Sequence, residues 1–234
     1  MSKQSPSTSE RRSFLTSLQA GVASLAAMTL GTAAMAQAKT AAPARWEPAR
    51  HEKDDWLDRP SKHRLVFDTI VPDGFGEALF FANNFILVNQ TGYGVPNTDL
   101  SVVIVARNRS TPFAYNDAMW AKYGAPMAAR ARFEDPQSKS VPKSNLYNSE
   151  TYGDLLPNRG ETLESLAKLG VQFGVCAVAT RNFAITIAKA VGRDADAINN
   201  ELIANLIGPN ARMVPAGIVA VSRAQERGYT LVRS

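Results

Sequence analysis

Cys176 is the only cysteine in this 234-residue chain. It closes the apolar run Gly170-Val-Gln-Phe-Gly-Val-Cys176, and a helix-like segment follows soon after Thr180. That order predicts a thiol at the carboxyl end of a buried strand, facing a helix amino-terminus. Ligands bind at this edge of open α/β sheets, and the unpaired N–H groups and dipole of a helix start favour a thiolate. A lone cysteine makes no internal disulfide, so the chemistry open to it is that of a nucleophilic sulfur. The competing reading is a packed thiol, because free cysteine also behaves as a small buried hydrophobe.

Arg181 lies five residues beyond Cys176 and is the first cation expected to steady a thiolate or a bound anion; otherwise it is a solvated surface charge. Asn182, Arg107 and Asn108 fall at strand ends on the same expected edge. Asp73, Gly74 and Gly76 belong to a short segment between the first strand and its helix, where backbone N–H groups can cradle a small anion. That segment lacks the third glycine of a dinucleotide fingerprint, so a tight turn using glycine torsions competes with the cradle. Within Tyr115-Asn-Asp-Ala-Met-Trp120, core packing is expected, with Tyr115 and Asn116 as candidates for pocket lining.

Other chemistries find little support. After the leader described below, His51 and His63 both precede the first strand, far in sequence from Cys176, whereas structural zinc takes four such ligands, usually in close pairs. No metal and no cofactor is expected. No Gly-x-Ser-x-Gly elbow is present, and a Cys/His dyad would have to use His63.

The elements that must position these residues alternate. Leu65–Val71 and Leu100–Ala106 read as strands covered on both faces. Glu77–Asn89 reads as a helix apolar nearly all round, which must bury more than one side, the second against another subunit. Pro112–Lys122 is expected to be helical, with Gly124 as its stop. Residues 125–158, rich in Pro, Ser and Asn, read as an inserted excursion of the kind that often carries function. Short helices are expected over Glu161–Leu169 and Arg181–Val191, then another capped by Asp194 or Asp196. Met213 and Val214 lie on a short strand, Pro215–Arg227 on a helix, and Tyr229–Val232 on a last strand. This alternation predicts an α/β protein, a three-layer α/β/α sandwich with a mainly parallel sheet.

Residues 1–36 read as an address. Arg11 and Arg12 precede Phe14 and Leu15, then a weakly apolar stretch, then the small-x-small pattern Ala34-Met-Ala36. The segment resembles a bacterial twin-arginine signal peptide, which implies export to the periplasm and no stable membrane anchor after cleavage. Its removal would leave 198 residues, with 23 basic against 20 acidic side chains. A balance of +3 with no basic stripe argues against nucleic acid. Residues 37–63 read as a linker followed by an extended arm, which Trp46, Trp56 and Leu57 pin to the domain or to a neighbouring subunit. Residues 64–234 form the domain.

Three segments together resemble one family: the run ending in Cys176, the stretch Val214-Pro-Ala-Gly-Ile-Val-Ala220, and Ala224-Gln-Glu-Arg-Gly-Tyr-Thr-Leu-Val-Arg233. They are similar to the DsrE/DsrF-like sulfur-relay proteins from about Arg64 onward. The resemblance implies a five-stranded, largely parallel sheet and a homo-oligomer such as a trimer or hexamer. It also implies that Cys176 matches the cysteine that holds a sulfane sulfur as a persulfide, taken from a sulfane sulfur donor and passed to a thiol acceptor. The alternative is a non-catalytic α/β module that binds a small anion or a partner protein through the Cys176 edge and the 125–158 excursion, with the cysteine structural.

Overall fold

The computed structural model describes residues 47–234; the expected signal peptide, the start of the linker and Trp46 lie outside the described residues. Five strands form one parallel sheet: β1 (His63–Thr69), β2 (Leu100–Ala106), β3 (Gln172–Cys176), β4 (Ala211–Val214) and β5 (Thr230–Arg233). Their order is β4-β3-β2-β1-β5, so β2 is central and β3 and β1 flank it inside the sheet. Helices cover both faces: α1 (Pro72–Tyr93), α2 (Asp117–Ala131), α3 (Leu163–Lys168), α4 (Ala177–Val191), α5 (Ala195–Ala204) and α6 (Gly217–Glu226). The expected three-layer α/β/α sandwich is the observed fold. Among the described residues, no helix is long and apolar enough to cross a membrane.

Strand alternation divides the core in two. Leu65, Phe67, Val102, Ile104, Phe173 and Val175 face the larger core, shared with α1 to α5. Val66, Val103, Val105 and Val214 face the smaller core, with Ala220, Val221 and Ala224 of α6. The arm completes that thinner layer. It forms a 3₁₀ turn over Glu52–Leu57 rather than the expected extended segment. Leu57 is buried in the smaller core, while Trp56 lies against Gly174 with the Arg212 guanidinium 5.1 Å from its ring centroid.

Several expected boundaries move. α1 begins at Pro72 instead of Glu77, because proline suits the first helical turn, where its missing N–H costs nothing. What the sequence presents as Pro112–Lys122 divides into a 3₁₀ segment over Asn108–Ala114 and then α2. Gly124 does not stop α2; the chain kinks at Tyr123 and continues to Ala131, taking in the start of the expected excursion. The remainder of 125–158 is tied into the core. Tyr147 is fully buried and packs with Phe75, Phe113 and Phe133, its ring centroid 4.8 Å from that of Phe113. Asn145 pins the segment by donating from Nδ2 to the carbonyls of Phe113 and Tyr115 at 2.7 and 2.9 Å.

Candidate functional site

β3 ends at Cys176, and α4 begins at the next residue rather than after Thr180. Cys176 is itself the cap of α4: its Sγ accepts a hydrogen bond from the Ala179 N–H at 3.4 Å. Cys176 as a residue is 7 % exposed, and it borders a cleft of about 290 Å³ lined also by Arg107, Asn108, Val178, Asn182 and the first turn of α6.

Parallel register explains the company Cys176 keeps. Ala106 pairs with Val175, so Arg107 and Cys176 stand level, one step past the paired ends of β2 and β3. Asp68 pairs with Val105 on the neighbouring strand. Alternation sends Asp68, Arg107 and Cys176 to the same face, the one covered by α6. Asp68 is 4 % exposed and accepts two hydrogen bonds from Arg107, Nε to Oδ1 at 2.6 Å and Nη2 to Oδ2 at 2.7 Å. This fork raises the Arg107 pKa above its ordinary value despite partial burial; negative charge on Asp68 and on Cys176 acts in the same direction.

A second helix start closes the cleft. Ala216 precedes α6 and caps it with no side-chain hydrogen bond. The backbone of Gly217 and Ile218 therefore presents first-turn N–H groups beside Arg107. Close approach requires glycine here: a Cβ on Gly217 would lie 2.6 Å from the Cβ of Arg107. Exposed Val178 and Ile218 give the rim an apolar character.

Arg181 does not join this group. Because α4 starts at Ala177, Arg181 is the fifth helical residue and turns away from the capping thiol to pair with Asp196 of α5; its side chain is 43 % exposed. Asn182 does line the cleft, one turn beyond Val178 on the same stripe. Asp194, not Asp196, caps α5 by accepting from the Ala197 N–H at 2.8 Å.

Asp73, Gly74 and Gly76 open α1, none of them lines the cleft at Cys176, and the backbone of Ser234 lies against Gly74. Asp73 and Gly74 belong to the first turn of α1 and Gly76 is its fifth residue, and neither glycine has a positive φ. What they supply is room: a Cβ on Gly74 would overlap the Ser234 backbone, and one on Gly76 would lie 2.6 Å from the Tyr147 ring. The Asp73 carboxylate would also repel an anion there.

Tyr115 and Asn116 are structural. Tyr115 is fully buried, its hydroxyl donates to Thr180 Oγ1 at 2.8 Å, and burial raises its pKa far above the ordinary value. Asn116 caps α2 by accepting from the Met119 N–H and donates to Asn205 Oδ1. His63 opens β1 at the amino edge, so roughly 20 Å of strand separates its end of the sheet from the edge that carries Cys176; a dyad of Cys176 with His63 is excluded. Among the described residues, no group of three or more His, Cys, Asp or Glu could hold a metal ion.

Sequence reasoning passed over Asp68 and placed Arg107 behind Arg181. A signal existed in the strand pattern: Asp68 is a lone carboxylate in an otherwise apolar run, two residues after Val66. Arg107 stands two residues after Val105 in the same way. Pairing those two positions required knowing that β1 and β2 are neighbours.

No family model and no curated protein matches the chain. One solved structure, described as a protein of unknown function from Methanobacterium thermoautotrophicum, is similar over 74% of this chain and 99% of its own, with 16% identity and a TM-score of 0.36.

Proposed function

We propose that this is a periplasmic sulfur-handling protein that carries sulfane sulfur as a persulfide on Cys176. The observation that carries this reading is the placement of the thiol in an open cleft beside Arg107 and the first turn of α6. A charged sulfur leaving or arriving there meets a cation and backbone N–H groups.

In the loading step, the Cys176 thiolate attacks a sulfane sulfur of a polysulfide donor. An Sγ–S bond forms, the donor S–S bond breaks, and the shortened chain leaves with the electron pair. In the delivery step, an acceptor thiolate attacks the outer sulfur, the Sγ–S bond breaks, and Cys176 recovers its thiolate. No external oxidant enters, because the sulfur arrives and departs zero-valent. The twin-arginine-like leader supports the periplasmic assignment. The half-exposed apolar side chains on α1, Phe81, Leu87 and Val88, support the homo-oligomer, a trimer or hexamer.

Intact mass after exposure to polysulfide tests the reading. Wild type should gain the mass of one sulfur atom, removable by a reductant, and Cys176→Ser should gain none. No gain on wild type, or an equal gain on the variant, would sink it.

A second reading is favoured by one specific contact. Sγ caps α4 through the Ala179 N–H, a structural task that a packed thiol can perform without chemistry, in a module that binds an anion or a partner. Near-zero alkylation of folded Cys176 near neutral pH would favour this alternative. In this reading the 125–158 excursion would bind through a separate cleft of about 580 Å³, lined by Ala125, Arg132, Phe133, Lys139 and Val141, since none of its residues lines the one at Cys176.

A further inference from the structure

Arg107 has an arrangement that a merely buried ion pair does not need. Its Nε and one Nη atom are engaged by Asp68; among the described residues, the other, Nη1, has no hydrogen-bond partner. That free corner belongs to a side chain lining the same cleft as Cys176. Its direction is held from two sides. Asp68 fixes the guanidinium plane, since a two-point fork tolerates little rotation. Gly217 packs on the stem, a Cβ there coming within 2.9 Å of Arg107 Cδ. Other charges near the thiol do not compete for the role: Arg181 is paired with Asp196, and among the residues lining the cleft Arg107 is the only charged one.

We infer that Arg107 is the anion-binding residue of the cleft and Asp68 its positioning residue, so that Cys176 reacts preferentially with reagents carrying negative charge next to the reacting atom. The inference deepens the sulfur-carrier reading, on which it rests for taking Cys176 as the reacting group. It names the ligand class as anionic, such as a polysulfide dianion, in preference to a neutral disulfide. Arg107 would hold the charge on the part of the donor that leaves. A neutral donor gains nothing from that corner and still has to pass the apolar rim of Val178 and Ile218.

The test uses two alkylating reagents that differ in charge and little in size, iodoacetate and iodoacetamide. In both, Sγ displaces iodide, which departs with its electron pair. The rate ratio of the anionic to the neutral reagent, each referred to a small free thiol, cancels general accessibility. Wild type should show a raised ratio, and Arg107→Gln should lower it about tenfold, the scale of one close charge pair in a partly screened site. Arg107→Lys should restore part of the preference, and Asp68→Asn should lose part by freeing the guanidinium. Arg181→Gln should leave the ratio unchanged.

A wild-type ratio equal to that of the free thiol overturns the inference, as does an unchanged ratio in Arg107→Gln. Should the Arg107 variants fail to fold, added salt serves on wild type: the ratio should fall toward the free-thiol value as screening rises, and a flat salt response overturns the inference. Polysulfide loading is read separately by mass. A raised ratio without sulfur uptake removes the sulfur reading alone; uptake without a raised ratio removes only the role of Arg107.

Discussion

Gly217 and Arg107 touch so closely that the bare Cα of the first residue of α6 forms one wall for the arginine stem. A Cβ added there would lie 2.6 Å from Arg107 Cβ and 2.9 Å from its Cδ. The direction of Arg107 is thus set by a glycine more than a hundred residues away in sequence, as well as by its carboxylate partner.

Gly217→Ala follows from this contact. The new methyl group must push the Arg107 stem aside or lift α6, overpacking that costs about 1–3 kcal/mol. The expected outcome is a lower melting temperature together with a reduced iodoacetate-to-iodoacetamide ratio at Cys176, although no charge has been removed. A variant that melts lower yet keeps the full ratio would show that Arg107 is held by Asp68 alone.

Phe113 stands at the centre of the aromatic cluster that ties the 125–158 segment to the domain. Its ring contacts those of Phe75, Trp120, Phe133 and Tyr147, and it is fully buried. Phe113→Ala should cost about 3–5 kcal/mol, read as a fall in the urea midpoint. Loosening of 132–158 should accompany it, seen as earlier proteolytic cleavage within that segment.

Glu161 supplies a pH test. Burial first, and then the nearby charge of Glu150, raise its pKa above the ordinary 4.5. The fold therefore favours the protonated carboxyl, and that contribution is complete below pH 4.5 and disappears as pH rises through the raised value. At neutral pH the ionised group is a burden. Glu161→Gln keeps an acceptor for Asn83, which now donates to Oε1 at 2.9 Å, and should melt higher than wild type at pH 7. The advantage should vanish below pH 4.5. A constant difference across that range would contradict the assignment.

Self-association can be tested on α1. Phe81 and Val88 are 50 % and 52 % exposed, one helical stripe apart by seven residues, and no charged residue lies between Glu77 and Asp99. Phe81→Glu with Val88→Glu should convert the expected trimer or hexamer into a monomer, measured by light scattering behind size exclusion, with the far-UV spectrum unchanged. A wild-type monomer, or a variant of unchanged size, would dismiss this face as the subunit contact.

How far the residues alone reached can be judged element by element. β2 was legible to both ends because seven consecutive apolar or small residues between polar flanks admit a strand buried on both faces and little else. α1 was legible in its middle but not at its start. Glycines near the start of a helix look like a break until the packing of Tyr147 and Ser234 against them shows why no side chain is allowed there. Cys176 was legible as the terminal residue of a strand, whereas its role as the cap of α4 was missed by four residues, and with it the direction of Arg181.

Local pattern determined what short-range physics controls: where the chain is extended or helical, that strands and helices alternate, and hence the α/β class and the edge on which Cys176 falls. Strand order, and therefore which side chains meet, was decided only in three dimensions. Asp68, Arg107, Cys176 and Gly217 lie on separate elements spread across 150 residues. They converge because β1, β2 and β3 pair in parallel register and α6 returns over the same face. Such convergence depends on long-range pairing whose energy is shared among many backbone contacts, and no single stretch of sequence records it.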